Sequence, residues 1–191
     1  MTPRSAAGPR AGTPGAARLG MRLFLASLAV LFVAGLVAFW VIRARAASWP
    51  PLGAPALPRV LWLSTALTVA TSAVAQAAVG AIRRGNEPGL RRRLVLACGL
   101  AVAFLACQAV AWVLFFDRAT FERHLYGFTF YVLTGLHALH VLGGLIALAV
   151  VALRAHRGAY SWAEHTAVRA TAVYWHFLGA VWLTIYATLA V

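Results

Sequence analysis

A chain of 191 residues that is 62% hydrophobic and 11% charged, with a mean hydropathy of +0.80, carries more apolar surface than a water-soluble domain of this size can bury. Its 17 basic residues, all arginine, stand against four acids and give a formal net charge of +13. The arginines flank apolar runs, so they read as topogenic signals at membrane boundaries and exclude an aqueous basic domain that would grip nucleic acid.

In chain order, residues 1–19, "MTPRSAAGPRAGTPGAARL", mix proline, glycine and arginine without apolar periodicity and are expected to form a disordered basic tail. Five apolar segments follow: Met21–Ile42, Pro58–Ile82, Leu94–Phe116, Tyr126–Leu153 and Ala170–Val191. Each has the roughly 20 residues a helix needs to cross hydrocarbon. Ala44-Arg45-Ala46 imitates a signal-peptide cleavage site. The apolar run before it exceeds the 7 to 15 residues, roughly, of a signal core, so the first segment is expected to remain a span.

Between the spans, "SWPPLGAPALP" locks an extended connection, "RRGNEPGLRRR" breaks the chain with turn residues, and "RAHRGAYSWAEHTAVR" places Tyr160 and Trp162 at a membrane interface. The expected fold is therefore all-α, a polytopic membrane bundle of five transmembrane helices over residues 20–191.

Five crossings put Arg4, Arg10, Arg18, Arg22, Arg83, Arg84, Arg91, Arg92, Arg93, Arg154, Arg157 and Arg169 on one side, and Arg43, Arg45, Arg59, Arg118 and Arg123 on the other. The positive-inside rule then predicts a cytoplasmic N-terminus and an external C-terminus. The acids, Glu87, Asp117, Glu122 and Glu164, all lie in or beside loops. A relay of buried carboxylates, which an ion-coupled transporter acting alone requires, is missing. Cys98 and Cys107 would lie about 13 Å apart along one helix, too far for a disulfide between them.

The second segment carries Thr65, Thr68, Ser72 and Gln76 along one helical face, a pattern suited to close packing and interhelical hydrogen bonds. Gln108 is the strongly polar interior group of the third, and Ser27 that of the first. The fourth carries Tyr131, Thr134, His137 and His140 at intervals of three, with Gly135, Gly143 and Gly144 leaving room for a neighbour, and the fifth carries His176. Three readings compete for the histidines. They would hold a metal between two helices, ligate a single haem as in an independent membrane cytochrome, or sit as neutral imidazoles hydrogen-bonded to facing helices. The last is the expectation, with His137 and His140 tying the fourth helix to its neighbours and no metal or cofactor in this chain. Geometry weighs against two haems stacked across the membrane, because His137 and His140 are only about 4.5 Å apart along the axis.

"YGFTFYVLTGLHALHVLGG" resembles the signature of subunit III of haem-copper terminal oxidases, TG-aromatic-H-x-LHV-x-x-G, and "VYWHFLGAVWLTIY" is similar to the YWHF ending of the same family. The preceding apolar segments match its earlier helices in order and length, so the resemblance covers roughly residues 20–191 in the short five-helix bacterial form. It maps the family motif onto Thr134, Gly135, His137, Leu139, His140, Val141, Gly144, Tyr174, Trp175, His176 and Trp182 as structural positions, with no catalytic residue. Leu28, Ala111, Arg169 and Gly179 stand where the family commonly has carboxylates.

The resemblance implies a non-catalytic subunit of the bacterial cell membrane that supports assembly and stability of the oxidase. Haem and copper would reside in partner subunits, with catalytic subunit I, subunits II and IV, and membrane lipids as partners. The complex would reduce oxygen to water with proton translocation, drawing electrons from cytochrome c or quinol. An accessory role in a nitric oxide reductase-type complex is the neighbouring alternative.

Overall fold

The computed structural model describes residues 14–54, 56–116 and 125–190. Among these residues every regular element is a helix: α1 (Pro14–Arg45), α2 (Val60–Arg83), α3 (Glu87–Phe115), α4 (Leu125–His156) and α5 (Thr166–Ala190). All five are long and apolar enough to cross a membrane, in agreement with the expected all-α bundle. At 1.5 Å per residue, α1 and α4 extend to about 48 Å, well beyond a hydrocarbon layer of about 30 Å.

That excess corrects the boundaries drawn from hydropathy. Pro14 to Leu19, expected in the tail, are already helical; a proline suits a first turn because its missing N–H would have no partner there. Residues 1–13, together with Asp117, Arg118, Glu122 and Arg123, lie outside the described residues. In α3 the helix starts at Glu87, well before the apolar run. The Asn86 side chain accepts a hydrogen bond from the Gly89 amide at 2.7 Å and Pro88 occupies the first turn, so the arginines at 91–93 are carried on helix and not on loop.

Two glycines close the helix hairpins. The Gly85 amide donates to the Ile82 carbonyl and the Asn86 amide to that of Ala81, while Gly158 donates to Ala155 and Ala159 to Arg154. This is the paired capping pattern that requires a left-handed residue, and Gly85 (φ 68°) and Gly158 (φ 72°) supply it. Only three residues, 84–86, join α2 to α3, while nine, 157–165, join α4 to α5; α2 lies antiparallel on α3, and α4 on α5.

Helices α2, α3, α4 and α5 close into a ring, each touching the next, with the most extensive contact between α2 and α3. Among the described helices, α1 touches only α4 and α5 and lies outside the ring. Aromatic rings fill the centre: Phe104 from α3 meets Trp182 from α5 edge to face at 5.1 Å, which joins two helices that are not neighbours in the ring. At one end, Phe39 of α1 meets Trp49, Trp49 meets Tyr126 of α4, Tyr126 meets Phe115 of α3, and Phe115 meets Phe130. The outer surface is apolar in turn, with Val30, Val113, Leu139 and Ile146 exposed, as a bundle solvated by lipid requires.

Candidate functional site

The spacing in α4 makes successive polar side chains neighbours, and the structure shows the four of them distributed around the helix. A step of three residues falls about 60° short of a full turn, so Tyr131 and His140 end on opposite sides. Tyr131 donates its hydroxyl to the Trp112 carbonyl of α3 at 2.8 Å. The Trp112 indole N–H donates to Thr134 Oγ1 at 2.9 Å, and that hydroxyl donates in turn to the Phe130 carbonyl at 2.7 Å. These bonds tie α4 to α3. Nothing in the sequence pattern distinguishes Trp112 from the other apolar residues of its span, and Gly135, whose Cα lies on this side, would place a Cβ 3.9 Å from its ring.

His137 and His140 behave differently from the expectation that they tie α4 to its neighbours. His137 is completely buried and neither ring nitrogen has a hydrogen-bond partner among the described residues. It packs between Phe32 of α1, Phe104 of α3 and Trp182 of α5, with ring centroids at 6.2, 5.6 and 5.1 Å. Aromatic side chains of three helices meet on it, so the facing surfaces offer it no acceptor or donor. His140 turns its Nδ1 back to the Leu136 carbonyl of its own helix at 2.7 Å, with Phe32 at 5.2 Å across its ring. A carbonyl only accepts, which fixes the proton of a neutral His140 on Nδ1.

Beyond the α3–α4 bonds, the links between helices come from α5 and not from the imidazoles of His137 and His140. The Tyr174 hydroxyl donates to the His140 carbonyl at 2.9 Å, and its ring sits against Gly144, where a Cβ would lie 2.7 Å from Cε1. The Trp182 indole donates to Thr65 Oγ1 of α2 at 3.0 Å. His176 reaches across to α2 on both nitrogens, with Nδ1 against Ser72 Oγ and Nε2 against Gln76 Oε1 at 3.1 Å. The polar stripe of α2 therefore faces α5, as its spacing suggests. Trp175 is buried with its N–H unpaired among the described residues, as is the Gln108 amide.

The three motif histidines thus open onto three different surroundings: the centre of the bundle, the α1 side of α4, and the outer α2–α5 seam. Among the described residues no group of three or more histidine, cysteine or acidic side chains is arranged to hold a metal ion. Cys98 and Cys107 are free and half-buried. Where the family pattern would have carboxylates, Leu28 and Ala111 are buried and Gly179 leaves space 3.9 Å from Ser72 and Thr68, while Arg169 is exposed.

One cavity of about 500 Å³ opens between α1, α4 and α5, lined by Met21, Phe24, Leu28, Leu139, Gly143 and Tyr174, with His140 and Thr171 as its polar groups. It has the size and apolar lining of a small-molecule or acyl-chain site.

Comparison with known proteins agrees with these features. The family model for cytochrome c oxidase subunit III matches residues 11–191. The chain is 32% identical over 177 residues to the cytochrome c oxidase subunit 3 of Synechocystis sp., covering 92% of this chain and 75% of that one. It is 34% identical over 179 residues to the probable cytochrome c oxidase subunit 3 of Nocardia farcinica, covering 92% and 88%. To the subunit 3 of Pisaster ochraceus it is 36% identical over 176 residues, covering 88% and 67%.

Proposed function

Because this chain belongs to the cytochrome c oxidase subunit III family, we propose that its geometry serves to hold the oxidase's catalytic subunit in a durable assembly. It is a multi-pass, non-catalytic subunit of a respiratory haem-copper oxidase complex, whose reaction is oxygen reduction coupled to proton translocation. The observation that carries the scaffold reading is the allocation of the motif side chains. Thr134, His140, Tyr174, His176 and Trp182 are occupied by hydrogen bonds within the bundle, His137 packs at the meeting point of three helices, and Gly144 permits close approach of α4 to α5.

Haem and copper belong, on this reading, to partner subunits, with catalytic subunit I and subunits II and IV completing the assembly and an acyl chain of a membrane lipid filling the cavity beside α1. Purification in mild detergent through a tag on this chain tests it. Co-purified chains are expected to carry a haem absorption band and copper in the reduced-minus-oxidised and metal analyses. A haem band that stays with this chain after it has been separated from all others would overturn the scaffold reading.

Orientation follows from the arginine asymmetry. The turn at 84–86 and the arginines at 154, 157 and 169 lie at one end of the bundle, which is the cytoplasmic end by the positive-inside rule. In a background without Cys98 and Cys107, Arg84→Cys is expected to react with an impermeant maleimide only from the cytoplasmic face, and Ala47→Cys, in the α1–α2 connection, only from outside. Reaction of both from one face would refute the arrangement.

A further inference from the structure

The cavity between α1, α4 and α5 is lined by two polar side chains with unused hydrogen-bonding capacity, His140 and Thr171. His140 stands at the midpoint of α4 (Leu125–His156). Its Nδ1–H is engaged by the Leu136 carbonyl at 2.7 Å, so Nε2 of the neutral ring is a bare acceptor. No described residue donates to it, and unlike the two nitrogens of His137 it is not sealed inside the protein.

Thr171 lies in the second turn of α5 and is 8% exposed. Helical hydroxyls in this bundle are ordinarily occupied locally: Ser27, Thr65, Thr68, Thr71, Thr134 and Thr184 each donate to the carbonyl four residues back. Thr171 makes no such bond and has no other partner among the described residues. The Tyr174 hydroxyl between them is already committed to the His140 carbonyl.

A saturated chain fills a space of about 500 Å³ but leaves both groups unmet, because hydrocarbon neither donates nor accepts. Ester and carbonyl oxygens of a lipid only accept, so they have nothing to offer Nε2. A hydroxyl supplies the donor, and its oxygen, or that of a second hydroxyl, can accept from Thr171. Among the described residues the lining holds no arginine and no carboxylate, so an occupant at this depth is neutral.

We infer that the cavity takes a neutral apolar molecule bearing a hydroxyl group, which donates to His140 Nε2 at mid-membrane. The inference deepens the reading that a membrane lipid fills this space, and rests on it. A long-chain alcohol and a long-tailed reduced quinone share the required chemistry.

The test uses the purified oxidase complex containing this chain, in phospholipid nanodiscs, with photoreactive analogues of hexadecan-1-ol and hexadecane. Labelling is scored on the α4 and α5 peptides that line the cavity. The alcohol is expected to reach half-maximal labelling at about one-tenth the mole fraction of the alkane, the preference that one hydrogen bond confers. His140→Phe, which keeps a ring and removes the acceptor, is expected to abolish that preference. Thr171→Val, which keeps the shape and removes the hydroxyl, is expected to reduce it about threefold. Gly143→Leu builds into the cavity from a position where a Cβ meets no atom within 4 Å, and is expected to abolish labelling by both probes while the melting of the complex is unchanged.

Equal labelling by alcohol and alkane, or a preference that survives both polar substitutions, would overturn the hydroxyl inference and leave the lipid reading standing. No saturable labelling by either probe would overturn the lipid reading beneath it. Unlabelled decyl-tailed hydroquinone competing more strongly than unlabelled hexadecan-1-ol would identify the occupant as a quinol, and the reverse as a chain alcohol; either result supports the inference.

Discussion

Replacing Gly144 with leucine is expected to separate α4 from α5 and to cause one of the two largest stability losses in the chain. Even the single carbon of alanine would lie 2.7 Å from Tyr174 Cε1, 3.2 Å from its Cδ1 and 3.4 Å from Leu178 Cδ1. The tyrosine ring has little freedom to retreat, because its hydroxyl donates to the His140 carbonyl at 2.9 Å and its face stacks on Phe24 at 6.0 Å. Alanine is therefore expected to cost about 1–3 kcal/mol and leucine more, read as the unfolding free energy in a detergent titration. The leucine variant should also lose the cavity beside α1, since Gly143, Tyr174 and Phe24 line it. Alanine at 144 with unchanged stability would show that the α4–α5 approach is not the constraint described.

The second large effect is at His137, where the nature of the substitution decides the outcome. Truncation to alanine empties a fully enclosed space between Phe32, Phe104 and Trp182 and is expected to cost about 3 kcal/mol, in the range for large buried side chains. Leucine fills most of that space and removes two ring nitrogens that have no partner among the described residues. Eliminating unpaired buried polar atoms while keeping the volume is close to neutral or favourable, so His137→Leu is expected to lie within about 1 kcal/mol of the unaltered chain. Glutamine keeps polar atoms without giving them partners and should fall below leucine. The order leucine above glutamine above alanine, measured by thermal melting of the chain in detergent, distinguishes a packed imidazole from a hydrogen-bonded one; glutamine above leucine would restore the latter.

Gly144 and His137 also separate what a residue pattern carries from what only packing decides. The spans are legible in the sequence because hydrocarbon imposes a length of apolar residues, and the α2 stripe is legible because polar residues at three- and four-residue intervals share a face. Hydropathy alone misplaces the start of α3 by seven residues, since it marks where lipid begins while Asn86 and Pro88 mark where the helix begins. The histidines belong to the motif that the sequence displays, but their spacing suggests the wrong bonds. A repeat of three makes each side chain the neighbour of the next, yet the helix turns by about 60° at each step, so the first and last meet different helices. Partners on other helices leave no local trace: Trp112 for Thr134, Thr65 for Trp182, and Ser72 and Gln76 for His176 are separated by 22, 117, 104 and 100 residues.

The ring contacts from Phe39 through Trp49 and Tyr126 to Phe115 fasten the C-terminal part of α1, whereas the rest of that helix meets only α4 and α5. That rest is held by rings as well: Phe32, midway along the helix, is buried against His137, His140 and Phe177, and Phe24 stacks on Tyr174 at 6.0 Å. A rod riveted at three levels has no free arm, so the width of the cavity that Met21, Phe24 and Tyr174 line is set by the same ring contacts that fasten α1 to the bundle.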